Sequence, residues 1–393
     1  MPFRTLIATS AFGIESIVAG ELTALGYQGL AVENGRVAFQ GDDRDIARCN
    51  LWLRTADRLL LRMAEFRAMD FEELFQGVKA IPWETIIPEN GKMHVTGKSV
   101  RSKLFSVPDC QAIVKKAVVE RMKTKYRREY FREDGPVYKI EVGLLKDIAT
   151  ITVDTSGPGL HKRGYREERG EAPLRETLAA AIVLMSRWEP SRIFADPLCG
   201  SGTIPIEAAL IGRNRAPGIK RSFVAETWPH IPGKIWKEAR EEARDLERES
   251  EMNILASDSD WGVFKSARAN AAHAGVDDAI TFQHKPLAEF GSKKKFGCIV
   301  TNPPYGERMG DREAAEKLYR EMGEVFARLD SWSYFILSSH DEFQKHFGKH
   351  SHKNRKLYNG RILCYLYQYF GPLPPRKREP GGGDQGNMAE GNE

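Results

Sequence analysis

Apolar positions change their rhythm near the middle of the chain. In the first half, short apolar runs alternate with amphipathic stretches. Thr5–Thr9 and Val37–Phe39 read as strands. The stretch near Ile14–Leu25 reads as a helix stopped by Gly26, the residue type that ends helices without a Cβ penalty. A second helical pattern spans Asp43–Arg54, and a strand follows at Asp57–Glu65. After Phe71–Ala80 come strand-like Met93–Thr96 and a helix from Asp109 to about Lys125. On that helix Ile113, Val114, Ala117, Val118 and Met122 share one apolar face, while Lys116, Glu120, Lys123 and Arg127 run along the other. Val137–Val142 and Ile148–Asp154 are two strands joined across Leu144–Asp147. The first 155 residues are therefore predicted to be α+β, with a basic helix beside a small sheet.

Ser156-Gly157-Pro158-Gly159 is the clearest linker. Beyond it, strands and helices alternate, the pattern of a parallel sheet covered on both faces. Helix Leu174–Glu189 precedes strand Arg192–Asp196, and helix Thr203–Arg213 follows it. Strand Ile254–Asp258, helix Trp261–Ala274 and strand Ile280–His284 come next. Phe296–Thr301 leads through two prolines to helix Arg312–Leu329 and strand Tyr334–Ser338. Lys353–Tyr358 and Arg361–Phe370 flank Asn359-Gly360, a two-residue hairpin signal. The fold class is thus α/β, a doubly wound sheet finished by an antiparallel hairpin, preceded by the α+β unit. The long connection Asn214–Asn253 carries a charged helix, Lys234–Glu251, expected beside the site that Arg192–Asp196 opens. Residues 374–393, rich in Gly, Pro and charge, read as a disordered tail.

Composition narrows the setting. At 393 residues the chain exceeds one ordinary core, and its 41% hydrophobic and 29% charged residues are those of a soluble globular protein. No apolar run approaches the ~18 residues of a membrane span, and the opening residues lack a signal-peptide pattern, so a cytoplasmic protein is expected. The five cysteines are far apart with no C-x-x-C pair, which argues against a zinc site and a disulfide framework. His346, His350 and His352 read as solvated loop residues, and no metal is expected. Net charge is only +5, but Lys92 to Arg132 holds twelve Lys/Arg against three acids, a local +9 suited to a polyanion.

Two sequences carry chemistry. Asp196-Pro197-Leu198-Cys199-Gly200-Ser201-Gly202-Thr203 closes a strand and opens a helix, where glycines admit a ligand to the backbone and the helix start offers unpaired N–H groups. It lacks the third glycine, and the acid about 20 residues on, of a nicotinamide site. It also lacks the Gly-Lys-Ser/Thr end of a phosphate loop. A cofactor with little or no phosphate fits better, with Asp258 accepting from ribose hydroxyls. The other sequence is Thr301-Asn302-Pro303-Pro304-Tyr305, where a buried strand empties into a loop. Two prolines stiffen it, Asn302 offers a carbonyl acceptor and Tyr305 a flat face, a set suited to a planar ring bearing an amine.

Those two motifs, with Ala256-Ser257-Asp258-Ser259-Asp260 between them, resemble the S-adenosylmethionine-dependent amino-methyltransferases. Leu160-His161-Lys162-Arg163-Gly164-Tyr165-Arg166 and Ala172-Pro173-Leu174-Arg175-Glu176-Thr177-Leu178-Ala179-Ala180 resemble the junction in THUMP-domain RNA guanine-N2 methyltransferases of the RlmL type, which act on 23S ribosomal RNA. Lys98-Ser99-Val100-Arg101-Ser102 and Ser106-Val107-Pro108-Asp109-Cys110-Gln111 look like the matching THUMP stretch. The resemblance implies a ferredoxin-like region over residues 1–60, a THUMP domain over 61–155, a linker over 156–172 and a Rossmann-like methyltransferase domain over 173–373. It implies S-adenosylmethionine as cofactor and S-adenosylhomocysteine as product. Asp196, Cys199, Gly200, Gly202 and Thr203 would hold the methionine end, Asp258 the ribose, and Pro173 and Leu174 would close over the cofactor. Asn302, Pro303 and Pro304 would receive the target amine, with Tyr305 stacking on its base. The family's usual adenine-contacting acid after the third strand is replaced here by Pro286, leaving backbone groups or Glu289 for that role. Lys98, Arg101, Lys103, Lys115, Lys116 and Lys123 would grip RNA. Arg163 and Arg166, with Tyr165, would line the RNA path or brace the domain junction. His161 would be structural. The implied partner is 23S rRNA or an assembling large ribosomal subunit, met by a monomer. Transfer RNA, an adenine-N6 target in DNA or RNA, and a non-catalytic ribosome-assembly factor remain the alternatives.

Overall fold

The computed structural model describes residues 3–166, 174–306 and 311–375. Two seven-stranded sheets organise them. The first contains β1 (Arg4–Thr9), β2 (Ala31–Glu33), β3 (Arg36–Gly41), β4 (Arg58–Arg67), β5 (Lys92–Val100), β6 (Val137–Leu145) and β7 (Ile148–Asp154), in the order β2-β3-β1-β4-β7-β6-β5. Helices α1 (Glu15–Ala24), α2 (Asp43–Trp52), α3 (Phe71–Lys79) and α4 (Val107–Tyr126) accompany it. Along β6 every second residue from Tyr138 to Leu144 is buried, the period-two signature of a half-covered strand. Only β5 and β6 pair in parallel, and α4 makes the crossover that such a pair requires. Asp42 and Asp45 form a reciprocal capping box at the start of α2, and Asp70 caps α3. Because β4 pairs with both β1 and β7, a single sheet runs through both N-terminal regions rather than stopping at a small one.

The second sheet contains β8 (Phe194–Asp196), β9 (Ile254–Asp258), β10 (Ile280–His284), β11 (Cys298–Thr301), β12 (Ser333–Ser338), β13 (Lys353–Asn359) and β14 (Ile362–Tyr369). Its order is β10-β9-β8-β11-β12-β14-β13. The first five strands are parallel, and β14 runs against both β12 and β13. Helix α5 (Glu176–Met185) precedes these strands in the chain, and α6 (Thr203–Gly212), α7 (Gly233–Asp245), α8 (Trp261–Ala274), α9 (Asp311–Ala327) and α10 (Phe343–Phe347) lie between them. The doubly wound α/β class and the closing hairpin are as the sequence predicts.

Some details differ. Asn359 pairs with Ile362 and is buried, so the hairpin turn is Gly360-Arg361, with Gly360 taking the positive φ of 64°. Helix α5 is shorter than the apolar stretch that predicts it. Strand β2, exposed at all three residues, and the five-residue α10 are too short to leave a periodic signal.

The largest departure is the long connection before β9. It does not project beside the site but packs onto the N-terminal unit. Phe223, Trp228, Ile231, Ile235, Trp236 and Ala239 belong to that unit's apolar core. Trp228 stacks on Tyr138 at 4.9 Å and donates its indole N–H to the Val137 carbonyl. Arg48 of α2 pairs with Glu242 of α7 at 2.9 Å. The aromatic residues need a dry partner, and the sheet face carrying Tyr138 supplies one. The chain therefore crosses between the two units more than once, which locks them together.

Candidate active site at the carboxyl edge of the second sheet

Strands β9, β8 and β11 are neighbours and parallel, so Asp258, Asp196 and the loop after Thr301 leave the sheet at one edge. The strand order reverses between β8 and β11, the place where open α/β sheets form a ligand crevice. Asp196 is buried, and its Oδ1 accepts from the Thr301 hydroxyl at 2.7 Å and the Leu198 N–H at 3.3 Å. Burial pushes its pKa up to about 7, opposed by those two hydrogen bonds and reinforced by the Asp258 charge. The Thr301 bond joins the start of the Asn-Pro-Pro-Tyr loop to the first carboxylate.

Asp258 shapes the glycine loop. Its Oδ2 accepts from Gly200 N–H at 2.9 Å and its Oδ1 from Asp260 N–H at 3.0 Å. Gly200 has φ 52°, and a Cβ there would meet nothing within 4 Å, so the loop borders open space at this point. Gly202, φ 82°, has a different duty. A Cβ there would lie 3.1 Å from that of Ala267, so glycine lets α6 pack on α8. Gly202 also opens α6 with no side-chain cap, leaving backbone donors at the helix start. An open-faced glycine turn, a helix start and two carboxylates suit a cofactor with an amino-acid end and a ribose. Cys199 is buried and its thiol pKa is pushed up by that burial, so it acts as packing. Thr203 is buried and accepts from Arg166, while Leu174 lies in the surrounding apolar cluster. Pro173 lies outside the described residues. Glu289 is exposed at the end of the short 3-10 turn Leu287–Glu289 that Pro286 opens.

The acceptor loop is held from two sides. Tyr319, fully buried on α9, donates to the Pro304 carbonyl at 2.7 Å. Tyr305 is half-buried, and its hydroxyl donates to Asn302 Oδ1 and lies 3.7 Å from Cys364 Sγ on β14. That bond orients the Asn302 amide and leaves one lone pair of Oδ1 for another donor. Sequence reasoning missed Tyr319, since a helical tyrosine fifteen residues from the loop carries no local signal.

The predicted RNA residues separate into two groups. Arg101, Lys103 and Lys116 are exposed and enter no ion pair among the described residues, and Phe105 beside them is 82% exposed. Lys98 is exposed but pairs with Glu141 at 2.8 Å. Lys115 is tied to Glu133 and the Met93 carbonyl, and Lys123 to Glu120 and Glu129. Arg163 is corrected outright: it is buried, pairs with fully buried Glu207 at 3.3 Å, and donates to the Leu160 and Arg54 carbonyls. It braces the two units and does not face solvent. Tyr165 donates to the same Glu207, and Arg166 to Thr203 and the Leu174 carbonyl, so both tie this segment to the catalytic unit, and only Arg163 reaches across to the N-terminal one. His161, its pKa lowered to about 4 by burial and neighbouring arginines, stays neutral near pH 7.

His346 is not a solvated loop residue but sits on α10 with a largely buried ring. Its Nε2 and that of His340 lie 3.5 and 3.6 Å from Glu316, with Glu342 close by. Both Nδ1 atoms accept, from Arg320 and from the Glu342 N–H, while the Nε2 atoms make no hydrogen bond among the described residues; Glu316, Glu342 and His346 each bring a ligand atom within 4.8 Å of the others, a grouping the sequence pattern does not reveal.

Comparison with known proteins agrees with this geometry. Residues 163–368 match the RMKL-like methyltransferase domain family, residues 5–60 the RlmL ferredoxin-like domain and residues 68–154 the THUMP domain. The Bacillus subtilis (strain 168) protein named "Putative RNA methyltransferase YpsC" is 50% identical over 95% of this chain and 98% of its own length. A ribosomal RNA large subunit methyltransferase K/L of Syntrophotalea carbinolica is 35% identical over 92% of this chain, which spans only 53% of that protein. Among solved structures, SMU.472 in complex with SAH has 44% identity and a TM-score of 0.90, covering 95% of this chain and all of that one. A Listeria monocytogenes protein described as "a predicted N6-adenine-specific DNA methylase" has 51% identity and a TM-score of 0.91, covering 95% of this chain and 97% of its own.

Proposed function

The chain belongs to the RMKL-like methyltransferase family and uses S-adenosylmethionine, and from that premise we propose that it methylates the exocyclic N2 amine of a guanine in RNA, with 23S ribosomal RNA as the substrate. The observation that carries this reading is the meeting of Asp196, Asp258 and the Asn302 loop at one sheet edge, tied by the Thr301–Asp196 bond. The names of the two curated relatives supply the RNA class.

Bound at the glycine turn, S-adenosylmethionine supplies an electrophilic methyl group. Asp196 and the N–H groups at the start of α6 would hold its amino-acid end, and Asp258 its ribose. The residues of the loop deal with the poor nucleophilicity of an aromatic amine, whose lone pair is delocalised into the ring. Asn302 Oδ1 and the Pro303 carbonyl accept the two amine hydrogens, favouring a pyramidal nitrogen with its lone pair directed away from the loop. Tyr305 keeps the Asn302 carbonyl turned to that task. Because a sulfonium methyl is already activated, such positioning matters more than a strong base, and the amine proton leaves to solvent after the methyl group is transferred, so no dedicated general base is needed. A base paired in a duplex cannot reach the loop, so the target is single-stranded, looped or flipped.

The N-terminal unit would grip the RNA backbone through Arg101, Lys103 and Lys116 on and beside α4. A second reading, adenine-N6 methylation, draws on the description of the Listeria relative and on an acceptor loop that serves either amine. Replacing Asn302→Ala tests the site. Methyl transfer to RNA should fall by at least about 100-fold while cofactor affinity, measured calorimetrically, stays within a few-fold. Near-normal transfer would remove Asn302 from the chemistry.

A further inference from the structure

A cleft of about 460 Å³ separates the N-terminal unit from the catalytic sheet. One wall is the turn after β1, with Ser10 and Phe12, together with Asp57. The other is Arg175 at the start of α5 and the β13–β14 turn, with Tyr358 and Arg361. The walls are held in close register. A Cβ on Gly13, φ +92°, would come 2.6 Å from the Lys356 carbonyl oxygen, so glycine is required for the approach. Arg355 of β13 also donates to the Ser16 hydroxyl of α1 at 3.0 Å.

The lining is unusual for a domain junction. Phe12 is 56% exposed and meets Tyr358 edge-on at 6.3 Å. Arg175 and Arg361 are exposed, and their guanidinium groups have no hydrogen bond or ion pair among the described residues. The Ser10 hydroxyl is buried without a hydrogen-bond partner among the described residues. Among the described residues the Asp57 carboxylate accepts a single long bond, from Thr177 at 3.3 Å, and burial raises its pKa against the pull of Arg175. Unpaired guanidinium groups invite phosphate, exposed rings invite a base, and a carboxylate accepts from base amines. The volume lies within the range of small-ligand sites. The cleft also adjoins the catalytic loop, because β14 runs from the turn to Cys364, beside the Tyr305 hydroxyl. Four residues of strand put the two about 13 Å apart.

We propose that this cleft holds the nucleotide flanking the target base, with its phosphate on Arg175 and Arg361, its base against Phe12 and Tyr358, and a base amine on Asp57. A base drawn out of its stack leaves its neighbour without a partner, and this cleft receives that neighbour. The proposal rests on the reading that the substrate is RNA presented singly at Asn302.

The test uses Phe12→Ala and Arg361→Glu in the full chain, with total RNA from a strain lacking the enzyme and labelled S-adenosylmethionine as probes. Each variant should raise KM for RNA about ten-fold, the scale of one lost stacking or phosphate contact. The kcat, cofactor affinity and unfolding midpoint should stay near those of the unaltered protein. RNA carrying 4-thiouridine should cross-link to the peptide containing Phe12 or Tyr358. Unchanged KM for both variants with no such cross-link, while Asn302→Ala abolishes transfer, would overturn the flanking site and leave the function standing. If the unaltered protein labels no RNA at all, both readings fall.

Discussion

At the residue scale the decisive group is Asp196, a buried carboxyl that titrates near pH 7 beside a site read as holding an ammonium. Its folded pKa, about 7, lies above the ordinary carboxylate value of 3.8. The folded protein without cofactor therefore binds more protons than the unfolded chain between those values, and this group makes stability fall as pH rises through that window. An ammonium bound next to it favours the ionised form. Cofactor affinity should therefore rise between pH 6 and 8 by up to about ten-fold and level off above. Calorimetry at pH 6.5 in two buffers of different ionisation enthalpy should register proton release on binding. Affinity flat from pH 6 to 8 would separate Asp196 from the ammonium. Both Asp196 and Asn302 were legible in the sequence because each follows an apolar strand directly and so must emerge at its edge. The Thr301 hydroxyl bond and the Tyr319 lock were not, since they depend on strand neighbours and helix placement that no local pattern encodes.

At the element scale, α4 shows what a charge count leaves out. The net charge of its segment is plain from the sequence, but which cations are free is not. Lys115 and Lys123 are spent on Glu133, Glu120 and Glu129, whereas Lys116, over the Phe75 ring, and Arg101 remain exposed with no ion pair among the described residues. Charge reversal of Lys116 and Arg101 together should weaken RNA binding about ten-fold or more and lower the salt slope by about one for each lost contact. Reversal at Lys123 should do less, because its charge is already balanced. Equal effects at all three positions, read by anisotropy across a salt series, would mean that overall charge rather than this face grips RNA. The elements themselves were largely readable: β9, α8 and β10 begin and end where apolar periodicity places them, with Asp260 capping α8 and Gly275 stopping it. The shifted turn at Gly360 follows from a buried, laddered Asn359 that alternation alone could not reveal.

At the scale of the whole molecule, the two units are interlocked by the connection from Asn214 to Asn253. Its charged helix advertised solvent, but the aromatic residues preceding it and on its inner face decide its place. Trp228→Ala should cost about 3–5 kcal/mol, seen as a lower urea midpoint, because it empties the space against Tyr138 and leaves the Val137 carbonyl without its donor. A loss within about 0.5 kcal/mol would mean that the connection is not part of the N-terminal core. The identity of the methylated atom is the central claim, and one measurement reaches it directly. RNA and DNA from a strain lacking the enzyme are incubated with the protein and labelled S-adenosylmethionine, then digested and resolved as nucleosides. The account predicts label in N2-methylguanosine from ribosomal RNA; label in N6-methyladenine alone, from RNA or DNA, would contradict it.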